Sequence, residues 1–462
     1  MNTTTATTRP VTAPLDAPVT RERPAGFVHW VFPAMLALVA FGVLMSGRDL
    51  ADQYKDLESS AEIVRNPLMT LAQRGVSVLL LLASAERLYR HLVTGAYLPS
   101  PVLAVAFGLY WITTVALPAF YGTHKMLAHE MLYPLVLGAA VLVLTPGECR
   151  RVIDAARTGL LLFLLVGVVM IPVNINMVLD LTYSQGYIPG LPRLGGVAAH
   201  PVSLGMLALV AMMCLWCRPI QRRWLNRLSW VLGLGVLFMT QSKTAWVAFA
   251  ICVFAVAVMR NGGRLWQRAT DPRNSLFGVA ISAVAILALV AVTAVLLGTD
   301  VVGTVTGFFE TPEGAQLASL TGRNRIWAIA IEEWEASPFF GYGLNLWDSG
   351  FRASISMPNA THGHNQFVDT LARSGAIGAA GLVIYAAVLL FMSLSRATAT
   401  GGLTVALFFS LALLSISEVP LLILGYGTDL FTHLLLIAAL VSAAAPRRRP
   451  YPAVPPLGLR SP

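Results

Sequence analysis

Ser319-Leu320-Thr321-Gly322-Arg323-Asn324-Arg325 opens, and Thr361-His362-Gly363-His364-Asn365 brings towards its close, a polar interruption that runs from Ser319 to Gly378. Elsewhere the chain alternates apolar blocks with short connectors. A stretch this polar cannot lie unpaired in lipid, whereas the blocks around it have the length of membrane helices. The contrast decides the fold class: an all-α polytopic membrane protein with one large loop that contains short helices.

Composition agrees. Of 462 residues, 56% are hydrophobic and 12% charged, and the mean hydropathy is +0.69, too apolar for soluble domains of this length. The formal charge of +9 would suggest a polyanion partner in a soluble protein. Here the basic residues fall mostly in connectors, where they report orientation; membrane lipids are expected partners and nucleic acid is not. Cys149, Cys214, Cys217 and Cys252 are too few for a disulfide framework. The C-x-x-C spacing of Cys214 and Cys217 lacks a second Cys or His pair and reads as two small residues at a helix end.

A span of roughly 20 apolar residues crosses a bilayer as a helix. On that rule twelve are predicted, at 28–46, 66–84, 100–119, 126–145, 158–179, 198–217, 225–241, 243–259, 275–298, 372–395, 402–418 and 427–445. The organisation expected is a disordered cytoplasmic tail at 1–26, nine spans within 27–298, a periplasmic catalytic loop at 299–371, three spans within 372–445 and a cytoplasmic tail at 446–462. With a cytoplasmic N-terminus, 21 of the 32 basic residues fall on the inner side, so both termini are expected inside and the loop outside.

Cations on the outer side run against that bias and are therefore informative. Arg193 sits in Leu191-Pro192-Arg193-Leu194-Gly195-Gly196 with no acid after Asp180, and Lys243 lies in a turn at the membrane boundary. Each is as readily a side chain snorkelling to headgroups as a ligand contact; together they suggest a bound anion. Arg74, inside the second span, is an intramembrane charge that either meets an anion or pairs with a carbonyl or Glu86.

In the loop, Ile326, Trp327, Ala330, Ile331 and Trp334 recur at helical spacing, with Thr321 as N-cap and Pro338 ending the pattern. The charges of this helix oppose its dipole: Arg323 and Arg325 at the start, Glu332, Glu333 and Glu335 at the end. Two guanidinium forks beside free N–H groups favour an anion, phosphate above all, over pairing with distant acids such as Glu310 or Glu313. Of His362 and His364, either one alone reads as structural, but histidine exchanges protons near neutral pH and Asn365 can orient it or cap the following helix. A His-x-His zinc site would need Asp348 or Asp369, and no metal-ligand spacing is completed. Walker and Rossmann patterns are absent.

The order Thr321-Gly322-Arg323 with Trp327, Pro338 with Gly341 and Gly343, His364-Asn365, and Arg373-Ser374-Gly375-x-x-Gly378 resembles the O-antigen ligase and polymerase superfamily of bacterial membrane glycosyltransferases. The earlier half matches through Arg193 with Gly195 and through Gln241-Ser242-Lys243, where Lys243 replaces the Arg that such proteins often carry. The resemblance implies a metal-independent, inverting ligase without cofactor in the Gram-negative inner membrane. It would move O-antigen polysaccharide from undecaprenyl diphosphate to a sugar hydroxyl of lipid A-core. By that reading His364 is the general base, the family pattern falling on the His before Asn. Arg323 and Arg193 assist catalysis at the diphosphate, Arg325, Lys243 and Arg74 contribute to its binding, and His362 and Asn365 are secondary. An O-antigen polymerase uses the same donor with a lipid-linked acceptor. A flippase of that lipid would place ionisable residues along span interiors, which this chain largely does not.

Overall fold

The computed structural model describes residues 26–51, 67–183, 188, 190–270, 323–358, 360–425 and 427–444. The predicted ninth span at 275–298, most of both tails, Glu310, Glu313 and the expected N-cap Thr321 lie outside these residues.

The described chain is mostly helical. After a 3-10 turn at Val28–Trp30 come α1 (Val31–Ser46), α2 (Pro67–Thr94), α3 (Pro101–Trp111), a π turn at Ile112–Ala116, α4 (Leu117–Tyr121), α5 (Leu132–Leu142), α6 (Pro146–Val169) and the short α7 (Ile175–Val178). A two-residue antiparallel pair follows, β1 (Leu179–Asp180) with β2 (Arg193–Leu194), in which Asp180 faces Arg193. Then come α8 (Pro201–Cys217), α9 (Arg223–Met239), α10 (Lys243–Thr270), α11 (Arg323–Ala336), α12 (Ser349–Ser354), α13 (Gln366–Ser395), α14 (Leu403–Leu414) and α15 (Thr428–Ser442).

A helix coincides with each of the eleven predicted spans that fall among the described residues. Six helical stretches, those starting at Val28, Pro67, Pro101, Pro146, Lys243 and Gln366, are long and apolar enough to cross a membrane; others are shorter. The helix boundaries differ from the sequence reading in several places, two of them with a visible cause. The fifth helix begins at Pro146, not near 158, because Thr145 and Glu148 form a capping box with Pro146 at the first helical position. It ends at Val169, and the chain restarts only where the Asn174 side chain accepts the Met177 N–H to cap α7. The second helix continues past 84 to Thr94, so Glu86, Arg87 and Arg90 are helical and not connector residues. Burial explains the extension: Arg87 reaches Glu148 at 3.0 Å and donates to Val143 O at 2.7 Å, tying α2 to α6.

The core surrounds α15, whose residues Leu430 to Val441 are all buried, with α5, α6, α8 and α14 packed on it. By contrast Leu71, Leu79 and Leu82 of α2 and Phe391 of α13 are exposed, the pattern of a surface whose solvent is lipid. A second, smaller core holds Ile326 and Ala330 of α11 with Leu346, Trp347, Phe351 and Ala372, capping the end of the bundle where α13 begins.

α13 is broken at Gly375 (φ 64, ψ −168), and Ala376 N–H bonds Pro338 O at 2.8 Å. Beside the break, Tyr342 N–H and Gly343 N–H donate to Ala372 O (2.8 Å) and Arg373 O (3.0 Å), joining the Gly341-Tyr342-Gly343 turn to the helix backbone. A Cβ on Gly375 would stand 2.2 Å from the Phe339 carbonyl carbon. Gly375→Ala is therefore expected to destabilise the protein by about 3 kcal/mol, from positive φ and overpacking together. Gly235→Ala, on α9 with nothing within 4 Å, should be neutral or slightly stabilising. Thermal unfolding in detergent checks both, and equal melting temperatures for the two variants would contradict the account.

Candidate functional site

Asp369, fully buried in the first turn of α13, builds the turn that presents His364. Its Oδ1 accepts Gly363 N–H at 2.7 Å and Trp347 Nε1–H at 2.9 Å, and its Oδ2 accepts Arg373 Nε–H at 2.8 Å. Trp327 of α11 donates Nε1–H to Gly363 O at 2.8 Å. On the other flank Asn365 caps α13, its Oδ1 accepting from Phe367 N–H (3.0 Å) and Val368 N–H (3.1 Å). With both neighbours pinned, His364 is held at φ 48, the left-handed region, at a cost of roughly 1–3 kcal/mol for a non-glycine.

The segment after α14 is clipped to the same place. Gln366 N–H donates to Ser415 O at 2.9 Å, Leu421 N–H to Gln366 Oε1 at 2.7 Å, and Asn365 Nδ2 to Ile416 O at 3.3 Å. These bonds set Glu418 against the loop. Its Oε2 lies 3.3 Å from His362 Nε2 and 3.4 Å from His364 Nδ1, and its Oε1 is 3.7 Å from Arg323. The His364 contact is long and off-axis, an ion-pair distance with no aligned hydrogen bond. Sequence reading missed Glu418; the available signal was a lone acid at the end of the eleventh predicted span, 402–418.

Burial pushes the Glu418 carboxyl up, but the His364 contact and the charges of His362, His364 and Arg323 outweigh it and hold it below the ordinary carboxylate value. Glu418 is thus ionised at neutral pH. Burial, then the neighbouring His364, keeps His362 below the ordinary histidine value. His200, the N-cap of α8, is lowered to about 4 by burial and then by Arg193, with Glu418 opposing and His364 and Arg48 adding. His200 therefore stands within electrostatic reach of both Arg193 and the His364–Glu418 pair.

Arg193 is buried, donates Nε–H to Thr240 O at 3.0 Å and stacks over the Tyr183 ring at 4.5 Å. Lys243 is exposed and opens α10 three residues beyond Thr240. Arg48 is a fastener: it donates to Met177 O, Ala198 O, Ala199 O and Gly196 O at 2.7–3.0 Å.

Two expectations need correction. Arg323 does meet a distant acid, Glu418, so the start of α11 does not present two unpaired arginines; exposed Arg325 donates to Ile355 O at 3.2 Å. Arg74 does not pair with Glu86, which joins Arg90 one turn on along α2. Arg74 instead lies exposed on a groove beside α1 and α5. The four cysteines are free thiols, Cys214 buried and Cys217 donating to Gly401 O.

His362, His364 and Glu418 place their ligand atoms within 4.8 Å of one another, a two-His, one-carboxylate set that the sequence spacing did not complete. Hydrogen bonding argues against a metal there. His362 Nδ1 accepts the His364 N–H at 3.2 Å, so in neutral His362 the proton sits on Nε2, the atom facing Glu418. That atom donates and has no lone pair for a cation. At His364 it is Nδ1 that lies beside Glu418, and Nε2 is the ring nitrogen turned away from the carboxylate. Two imidazoles against one carboxylate can hold and pass a proton. Asp369→Ala should cost about 3–5 kcal/mol by stranding the buried Arg373, and should abolish the site's function; a melting temperature equal to wild type would refute the role given to Asp369.

Residues 228–383, from α9 into α13, match a family model described as O-antigen ligase, bearing out the resemblance read from the motifs. No curated protein matches the chain.

Proposed function

We propose that this chain is an O-antigen ligase: a glycosyltransferase that moves a polysaccharide from undecaprenyl diphosphate to a sugar hydroxyl of lipid A-core. The family match suggests a membrane glycosyltransferase of the ligase or polymerase type. The observation that supports the finer reading is the convergence of Arg323, His362 and His364, from two elements, on the single carboxylate of Glu418.

In the reaction the acceptor oxygen attacks the anomeric carbon while the bond to the diphosphate oxygen breaks. The leaving lipid diphosphate keeps the bonding electron pair. His364 Nε2 takes the hydroxyl proton, and Glu418 steadies the imidazolium that forms. Arg323 and Arg193 offset the charge growing on the leaving group, work that a metal ion would otherwise do. Direct displacement inverts the anomeric centre. Lys243 and Arg325 would contact the outer diphosphate oxygens or the first sugars. By this reading the chain crosses the inner membrane twelve times, with both termini cytoplasmic and the catalytic loop, within 299–371, on the periplasmic face; the charge count supports that orientation. There no nucleotide sugar is at hand and the donor brings its own leaving group.

Purified protein, lipid-linked glycan and lipid A-core, assayed with EDTA, should give product. His364→Ala should lose at least a hundredfold in kcat, and Glu418→Gln a comparable amount at unchanged fold. Full activity of His364→Ala would remove it as the base; transfer lost only on adding EDTA would defeat the metal-free reading. Arg323→Lys keeps the charge but loses the planar fork, and should weaken donor use. Product from a lipid-linked glycan acceptor, with none from lipid A-core, would make the chain a polymerase.

A further inference from the structure

The groove that Arg74 lines is bounded by α1, α2 and α5 and encloses about 780 Å³. Along α2 it runs from Met69 to Leu81, about 18 Å at 1.5 Å per residue. Its chemistry is ordered along that length. Leu38, Val78 and Leu81 line the deep end, Gln73, Arg74 and Ser77 the middle, and Thr70, His129 and Glu130 the end nearest the start of α2. Thr70, Gln73, Arg74 and Ser77 fall at helical spacing on one face, a polar stripe on a helix whose other faces expose Leu68, Leu71, Leu79 and Leu82. A polar stripe with an arginine on a membrane helix is costly unless something polar meets it.

The polar end abuts the site already described. It includes Ala199, next to His200, and Gly425, whose N–H donates to Glu130 O at 2.9 Å and which follows the Glu418 segment. We infer that this groove seats the donor's lipid: the polyprenyl chain against the apolar depth, Arg74 on the lipid-side phosphate, and the polar end with Thr70, His129 and Glu130 leading the sugar-side phosphate and the glycan on towards Arg193, Arg323 and His364. The inference rests on the donor proposed above. The sequence apolar, cationic, polar along the groove is the sequence chain, phosphate, glycan along such a lipid. Its volume and length suit the phosphate and the first isoprene units of one chain, the rest of which would lie in the bilayer, and not the several acyl chains of a lipid A anchor.

The test uses the full chain in phosphatidylcholine nanodiscs and reads undecaprenyl diphosphate binding by thermophoresis. Arg74→Gln removes a charge-assisted bond and should raise Kd about tenfold or more. Val78→Trp fills the groove from an exposed position, where folding is not at risk, and should do the same. Trp224→Ala, exposed on α9, should bind as wild type. Wild-type affinity in both Arg74→Gln and Val78→Trp would overturn the inference. So would equal competition by inorganic pyrophosphate, which would leave the chain no part, or displacement by lipid A, which would give the groove to the acceptor. Absence of lipid binding by the wild type would instead overturn the proposed donor, and this seat with it.

Discussion

One buried carboxylate, that of Asp369, holds the site in shape. In a low-dielectric interior an unpaired aspartate would be untenable, so its three donors, Gly363 N–H, Trp347 Nε1–H and Arg373 Nε–H, are obligatory partners. They come from the histidine turn, the segment after the glycine turn, and α13 itself. Satisfying one charge therefore fixes three pieces of backbone, and the fixed backbone in turn sustains the left-handed conformation of His364. Arg373, placed in a family motif, is the counter-ion and also donates to Leu344 O at 2.8 Å.

The second carboxylate has the opposite character. Glu418 is partly exposed and faces two histidines and Arg323. Asp369 is enclosed by its three donors, while the Glu418 carboxylate stays partly open. The Asp369–Arg373 pair fixes the geometry of the histidine turn, and Glu418 meets the two histidines that the turn presents. Glu418 reaches its place through Gln366 and Asn365, the residues that begin α13, so helix capping and the placing of this carboxylate are one piece of structure.

Lipid as solvent changes what holds the rest together. Apolar burial between helices gains little when the alternative is hydrocarbon, so close packing and polar fasteners carry the specificity. Arg87 with Glu148, Arg48 across four carbonyls, and Arg218 with Asp154 at 2.8 Å are such fasteners, each joining segments far apart in sequence.

Much was legible in residue order. Apolar block length placed helices at every predicted span among the described residues, because backbone in lipid must bond within its own segment. His364-Asn365 and the α11 arginines stood out by being polar where apolar residues rule. Boundaries were less legible: Arg87 and Glu148 look like connector residues by charge, yet they are helical and pair across helices. Glu418 was invisible as a partner, since 54 residues separate it from His364 and no local pattern links them. Arg323, likewise, read as half of an open anion site until folding brought a carboxylate to it. Local rules of hydration and hydrogen bonding thus set the class, the helices and the turn that carries the histidines. The meeting of Arg323, His362, His364 and Glu418 was decided only by tertiary structure, because charges interact through space and the chain between them records no distance.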